Sequence, residues 1–514
     1  MQTYAAIDIG SNSCRLKIAR VQQHQLKVIH EDREVTRLGA SVFETGVVSP
    51  EAMASTLMAL KRFYRAVKMH GADQVRAVAT SALRDARNAL AFLAWVKSET
   101  GWEVQIISGL EEARLIHRGV MGEAGTQGKC LLIDVGGGSC EITLSEHKRI
   151  KETVSLPLGA VRLTKEFLPS EPPTEQELAR LKQFIARELR KAERRLGKLS
   201  VSLVIATSGT AAALFQASQT LRKTKVPAKR GKTPLKQLAE TRDVRRLTTK
   251  LTGMTADQRS DVPGIGPRRS EIVVAGSHVY AALLEHFALP GFIYSDLGLR
   301  DGILSQMLAE QDPKAAVHQV FEQERWQGVL ATCKRYGVDP KQADAVRQHA
   351  LQLFRDLQSV HELPPEYGTW LQAAAMMRDV GKFMNYQGHH RHAQYIVANS
   401  ELFGFTPQQR AIMSAIARYL GKSRPDPEDR TMRPIPPEEF TRVQRSVVLL
   451  RLAVALNQDK ASDVLKVTLR VYPKRVTMEL SPGRTGAELE LWSLRKEGDY
   501  FREVFRRELF AALA

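Results

Sequence analysis

Two octapeptides constrain this chain more than anything else in it: Ile7-Asp8-Ile9-Gly10-Ser11-Asn12-Ser13-Cys14 and Ile133-Asp134-Val135-Gly136-Gly137-Gly138-Ser139-Cys140. They agree at five of eight positions, and Ile9/Val135 is a conservative pair. Each closes an apolar run that reads as a buried strand. The residues that follow, Arg15-Leu16-Lys17-Ile18 and Glu141-Ile142-Thr143-Leu144, alternate polar and apolar, so both turns are predicted to be hairpin loops. That context excludes a Walker loop and a dinucleotide fingerprint, which open helices with other glycine spacings. Turns rich in Gly, Ser and Asn cluster backbone N–H groups that can grip phosphate oxygens. An Asp ending an apolar strand is costly to bury unpaired. A hydrated divalent cation bridging it to phosphate resolves that cost, and hard oxygen ligands suit Mg²⁺. One such turn alone reads as an ordinary Asp-Gly turn. Two near-copies point to a two-sided phosphate grip.

Around these turns, residues 1–310 alternate short β-branched strands (TYAAIDIG, VRAVAT, CLLIDVG, LVIATSG) with amphipathic helical stretches, the α/β pattern. From about 311 the texture is helical, with apolar spacing over 341–360, 369–381, 391–400, 408–420 and 441–457. The tail predicts a hairpin in LKVTLRVYP and RVTMELSP, a strand in AELELWSL, and a closing helix in DYFREVFRRELFAAL. With 514 residues the chain exceeds one core. Four regions are expected: 1–125, 126–310, 311–465 and 466–514. No apolar stretch is long enough to span a bilayer, and no CxxC spacing occurs among the four cysteines, so a reducing cytoplasm without membrane insertion is expected.

Charge narrows the partner. Lys and Arg number 75 against 56 Asp and Glu, a formal net charge of +19, which favours an anionic partner. Residues 221–250 hold eleven Lys/Arg against Glu240 and Asp243, although a charge run is ordinarily a solvated surface.

The chain resembles the exopolyphosphatase/guanosine pentaphosphate phosphatase family, within the superfamily of actin, sugar kinases and heat-shock chaperones. AAIDIGSNSCRL, ATSALRDARN, ISGLEEARLI, LLIDVGGGSCEI, LPLGAVRLT, ATSGTAAAL and SDLGLRDGIL occur in family order. The resemblance implies two ribonuclease H-like domains enclosing a cleft, an all-α HD-like domain, a small C-terminal α+β domain and a homodimer. It implies Glu112 as general base, where position alone does not separate it from Glu111. It implies Asp134 and Glu141 as holders of Mg²⁺ or Mn²⁺, with Asp8 a third candidate. Ser11, Asn12, Ser13, Cys14, Gly137, Gly138 and Ser139 would cradle phosphate, with Arg84, Gly209 and Thr210 nearby. Arg269 matches a family arginine, with a loop anchor as the alternative.

Inorganic polyphosphate is the expected substrate, because each phosphate adds a charge for a basic protein to neutralise. Guanosine pentaphosphate is the close alternative at the same site, an inactive polyphosphate-binding module and an actin-like kinase are further ones, and nucleic acid is not expected. The helical region departs from the HD hydrolase ligand set. The doublet position reads Arg378-Asp379, the early position Lys341-Gln342-Ala343 and the late one Ala455-Leu456-Asn457. No hydrolase activity is expected there, and His389, His390 and His392 are read as structural or phosphate-facing.

Overall fold

The same strand order is built twice in the first part of the chain. One sheet comprises β1 (Thr3–Ile9), β2 (Ser13–Gln22), β3 (Gln25–Val35), β4 (Gln74–Ala79) and β5 (Val104–Ile106) in the order β3-β2-β1-β4-β5. The other comprises β6 (Lys129–Val135), β7 (Cys140–Glu146), β8 (Arg149–Leu156), β9 (Leu203–Thr207), β10 (Ala239–Glu240) and β11 (Gly291–Tyr294) in the order β10-β11-β9-β6-β7-β8. In each, three antiparallel strands lead and two parallel strands follow, and the second sheet adds β10 as a short antiparallel edge. The repeated octapeptides occupy equivalent places, the β1–β2 and β6–β7 turns, as their hairpin reading predicts. The computed structural model describes residues 2–123, 128–223, 238–421, 423–459, 464–482 and 486–514. Positions 224–237 of the basic run therefore lie outside the described residues.

Two helices are exchanged between the sheets. The helix Gly109–Glu123 follows β5 but packs on β7 and β8, while Leu299–Gln311 follows β11 and packs on β1. The two helices cross in direct contact. A Cβ at Gly302 would lie 1.8 Å from the Leu115 carbonyl oxygen, so only glycine permits this approach. The apolar core at the crossing joins Tyr4, Ala6, Val78 and Leu115 to Ile303, Leu304 and Met307.

The chain divides into two compact units, Met1–Gln319 and Val320–Ala514. The second carries the expected helices at Pro340–Asp356, Glu366–Met377, His389–Asn399, Pro407–Arg418 and Phe440–Ala455. Asp339, with Pro340 behind it, and the Thr406–Gln409 capping box start two of them. Asp379, at the degenerate doublet, is held by Lys382 at 2.9 Å and Arg378 at 3.3 Å, with His389 Nε2 3.6 Å away.

The tail corrects three expectations. AELELWSL belongs to the helix Glu488–Phe505, whose buried Glu490, Leu494, Phe501 and Phe505 recur at helical spacing. The short Glu-Leu alternation imitates a strand because Glu490 is turned inward, where it accepts the backbone N–H groups of Gln458 and Asp459 at 2.9 Å. The closing segment is not helical throughout: Arg506 ends the helix in a left-handed conformation, and β14 (Glu508–Leu513) pairs in parallel with β13 (Arg475–Ser481), next to β12 (Lys466–Val471). Nor is 466–514 a separate globule. Val467, Val476, Met478 and Leu480 share one core with Leu353, Leu371 and Leu449, since a three-stranded sheet needs helices to bury its inner face.

His349 is fully buried, and neither ring nitrogen has a hydrogen-bond partner among the described residues. Burial lowers its pKa from 6.5 to about 4. The unfolded chain therefore binds the extra proton between these values, and this contribution to stability falls as pH drops through that window. His349→Leu is expected to keep the thermal midpoint at pH 7 and to shrink its loss between pH 7 and 5, an effect on the order of 2 kcal/mol. A variant losing as much as the parent would refute this account.

Candidate active site

Both turns are closed by the same backbone bond, Gly10 N–H to Ser13 O at 3.2 Å and Gly136 N–H to Ser139 O at 2.9 Å. Strand register then sets which side chains flank them. Asp8 is paired with Arg15 and Asp134 with Glu141, so each turn has two polar side chains on one face of its hairpin. The turns lie against each other: a Cβ on Gly137 would be 2.9 Å from Ser11 Cβ and 3.2 Å from Asn12 N. Arg162 backs the second turn, donating from Nε to Gly138 O at 2.8 Å and pairing with Asp85. Between the turns opens a cavity of about 720 Å³.

Acids gather on one side of it. Glu112 enters from the first turn of the helix Gly109–Glu123, and Arg84 Nη1 stands 3.7 Å from its Oε2. Burial, with Glu141 adding to it, raises the Glu112 pKa well above the usual range, and Arg84 opposes this. Burial likewise raises Asp8, and brings Asp134 to about 6 and Glu141 to about 8. Glu141 Oε1 accepts from Ser155 Oγ at 2.8 Å, behind the cavity wall. Asp8 Oδ1 is buried with no hydrogen-bond partner among the described residues.

Arginines gather as well. Arg15, Arg33, Arg268, Arg269 and Arg300 all line the same cavity. Burial, then the neighbouring Arg33 and Arg15, bring Arg269 down to about 9. Burial and Arg15 bring Arg33 down to about 10, and its Nε and Nη2 have no hydrogen-bond partner among the described residues. Confined like charges lower one another's proton affinity and attract an anion. Arg269 reaches its place by lying across Gly209, at the start of the helix Ser208–Lys223. A Cβ there would sit 1.3 Å from Arg269 Nη2.

The Ppx/GppA phosphatase family model matches residues 17–311, and the model of that family's domain III matches residues 325–497. The chain belongs to the Ppx/GppA phosphatase family. A crystal structure of the Aquifex aeolicus family member is 32% identical over 60% of this chain and 99% of its own, with a TM-score of 0.50. An exopolyphosphatase from Cytophaga hutchinsonii is 25% identical over 60% of this chain and 98% of its own, with a TM-score of 0.55. An exopolyphosphatase-like protein is 27% identical over 59% and 96%, with a TM-score of 0.54.

Of the site residues expected from sequence, Asp8, Ser11, Asn12, Ser13, Glu112, Asp134, Gly137, Gly138, Ser139, Gly209, Thr210 and Arg269 line this Ppx/GppA cavity. Three do not. Cys14 is sealed in the first core, its Sγ 3.7 Å from Thr36 Oγ1. Arg84 donates to Ile107 O at 2.5 Å and serves Glu112 rather than the turns. Glu141 touches Ser155 and acts on Glu112 only through its charge. Sequence reasoning missed Arg15, Arg33, Arg268 and Arg300. Arg15 alone carried a signal, since it faces Asp8 across a predicted hairpin.

No three His, Cys, Asp or Glu side chains form a ready metal cage among the described residues. The orphaned Asp8 oxygen and the half-buried Asp134 fit a cation that keeps waters and takes phosphate oxygens, as Mg²⁺ does.

Two outcomes follow from the charges. Gly209→Ala is expected to displace Arg269 and weaken tripolyphosphate binding about tenfold in calorimetry, the worth of a charge-assisted bond; unchanged affinity would remove Arg269 from the site. Glu141's raised folded pKa means that its contribution to stability is present below the unfolded value, near 4.5, and lost as pH rises through about 8. Glu141→Gln should therefore raise the thermal midpoint of cation-free protein at pH 8.5 by a few degrees, roughly, and much less at pH 5. Equal shifts at both pH values would show that its charge is not the cause.

Proposed function

We propose that the chain is an exopolyphosphatase, releasing terminal orthophosphate from inorganic polyphosphate with Glu112 as general base. The observation carrying this reading is that Glu112 shares one cavity with both phosphate turns and with five arginines. The arginines and the turn N–H groups hold the terminal phosphates and spread their charge. Glu112 takes the proton of an attacking water, and its raised proton affinity suits that role near neutral pH. Arg84 positions the carboxylate and keeps it ionisable. Asp8 and Asp134, with Glu141 behind them, would hold Mg²⁺, Mn²⁺ being the alternative. When bound, the cation supplies neutralisation of charge developing on the phosphoryl oxygens.

The same turns would accept guanosine pentaphosphate, and the presence of Tyr294 on the cavity wall, its ring stacked on Phe215, is what favours this second reading, as an aromatic near which a base could sit. The proposal extends to a homodimer in the cytoplasm and to an HD-like fold without hydrolase activity in the second unit. No described helix is long and apolar enough to cross a membrane.

Glu112→Gln is expected to lower phosphate release by about three orders of magnitude while polyphosphate binding survives, within the usual effect of one general acid–base group. Unchanged release would exclude Glu112 as the base. The ratio of kcat/KM on long polyphosphate to that on guanosine pentaphosphate decides the substrate: a ratio well below one would replace the first reading by the second.

A further inference from the structure

Arg259 is among the largest fully buried side chains of the protein, at 1% exposure, and no part of it reaches the cavity. All three of its nitrogens are engaged. Nε donates to Leu251 O at 2.9 Å, Nη1 to Ser270 O at 3.1 Å, and Nη2 to Met254 O at 2.6 Å, with Glu171 Oε1 2.8 Å from Nη2. Leu251 and Met254 lie where the helix Thr241–Thr252 ends, and Ser270 lies just before the helix Val273–His286. One guanidinium thus closes the intervening loop on itself. The loop crosses the helix Ser208–Lys223 at Gly264 and buries Ile265. It then delivers Arg268 and Arg269 to the cavity, and Ser270, whose carbonyl Arg259 holds, is the next residue.

The loop needs such an anchor. Its two arginines enter a space already lined by Arg15, Arg33 and Arg300, and Arg33 and Arg15 are the charges that most depress Arg269. Repulsion pushes this segment outward whenever no anion is bound. A planar fork with five donors can satisfy two carbonyls of the loop's start, one of its end and a carboxylate at once. A lysine ammonium, with three donors on a longer flexible stem, cannot keep that geometry.

We propose that Arg259 is a positioning residue that holds Arg268 and Arg269 against their like-charged neighbours so that the site is set for a terminal phosphate before substrate arrives. This rests on the proposed phosphohydrolase reading, and its test separates the two. In full-length protein carrying Glu112→Gln, so that ligand is not consumed, tripolyphosphate affinity is measured for Arg259→Lys, Arg269→Met and the pair, with hydrogen exchange of residues 264–272. Each single change is expected to weaken binding about tenfold and the pair by clearly less than the product of the two, because both remove the Arg269 contact and only the Arg268 contact is left for Arg259→Lys to disturb. Exchange over 264–272 should quicken in Arg259→Lys more than exchange over the two sheets does. With Glu112 restored, Arg259→Lys should raise KM and leave kcat nearly unchanged. Additive losses, or unchanged affinity, overturn the proposal. If Arg259→Lys does not fold, Glu171→Gln removes only the outer ion pair. Weaker tripolyphosphate binding there supports the proposal, and parental binding assigns Arg259 to the fold alone. A parent chain that binds tripolyphosphate but releases no phosphate from polyphosphate or guanosine pentaphosphate sinks the functional reading and leaves the positioning role standing.

Discussion

Carboxylates and guanidiniums are confined together in one cavity, and the pairing between them, such as Arg300 with Glu31 at 3.7 Å, is incomplete. Register pairing keeps Asp8 beside Arg15, yet the Asp8 pKa is still raised, because burial outweighs the three arginines that oppose it. On the other side Arg33 is lowered by burial and by Arg15, Arg268 and Arg300, and Arg269 by burial and by Arg33 and Arg15. Such an arrangement is unfavourable in the empty protein and is relieved by a polyanion accompanied by a cation. The rest of the first unit exists to hold it in place.

That holding is done by duplication and exchange. Two sheets of the same order offer the same turn in the same position, and a turn fixed between two strands cannot drift as a free loop would. The helix carrying Glu112 leaves the first sheet to pack on the second, while Leu299–Gln311 makes the return journey with Arg300 at its start. Glu112 and an arginine of the cavity therefore ride on the elements that tie the sheets together. Buried Lys17 strengthens that tie through Asp301 at 2.6 Å, with Glu31 at 3.0 Å.

The second unit shows how one feature can keep its frame and change its chemistry. The doublet position retains Asp379, but Arg378, Lys382 and His389 surround it. Its carboxyl is stabilised as an anion despite burial. A carboxylate already paired to Arg378 and Lys382 has little left to offer a metal ion.

The hairpin turns, the α/β texture to about 310, the helical texture beyond it, and the turn residues around Asp8 and Asp134 that line the cavity were legible in the chain, because local periodicity and turn chemistry are written in neighbouring residues. Glu112 was legible only through family resemblance, since nothing local separates it from Glu111. The tertiary structure alone decided the rest. It sealed Cys14 in the core, turned Arg84 toward Glu112, and gathered Arg33, Arg268 and Arg300 from three distant segments. It also made Glu488–Phe505 a helix, because an inward glutamate can be satisfied only by backbone groups thirty residues away. Which side chains meet across a cavity depends on how sheets stack and helices cross, and no single segment of sequence holds that information.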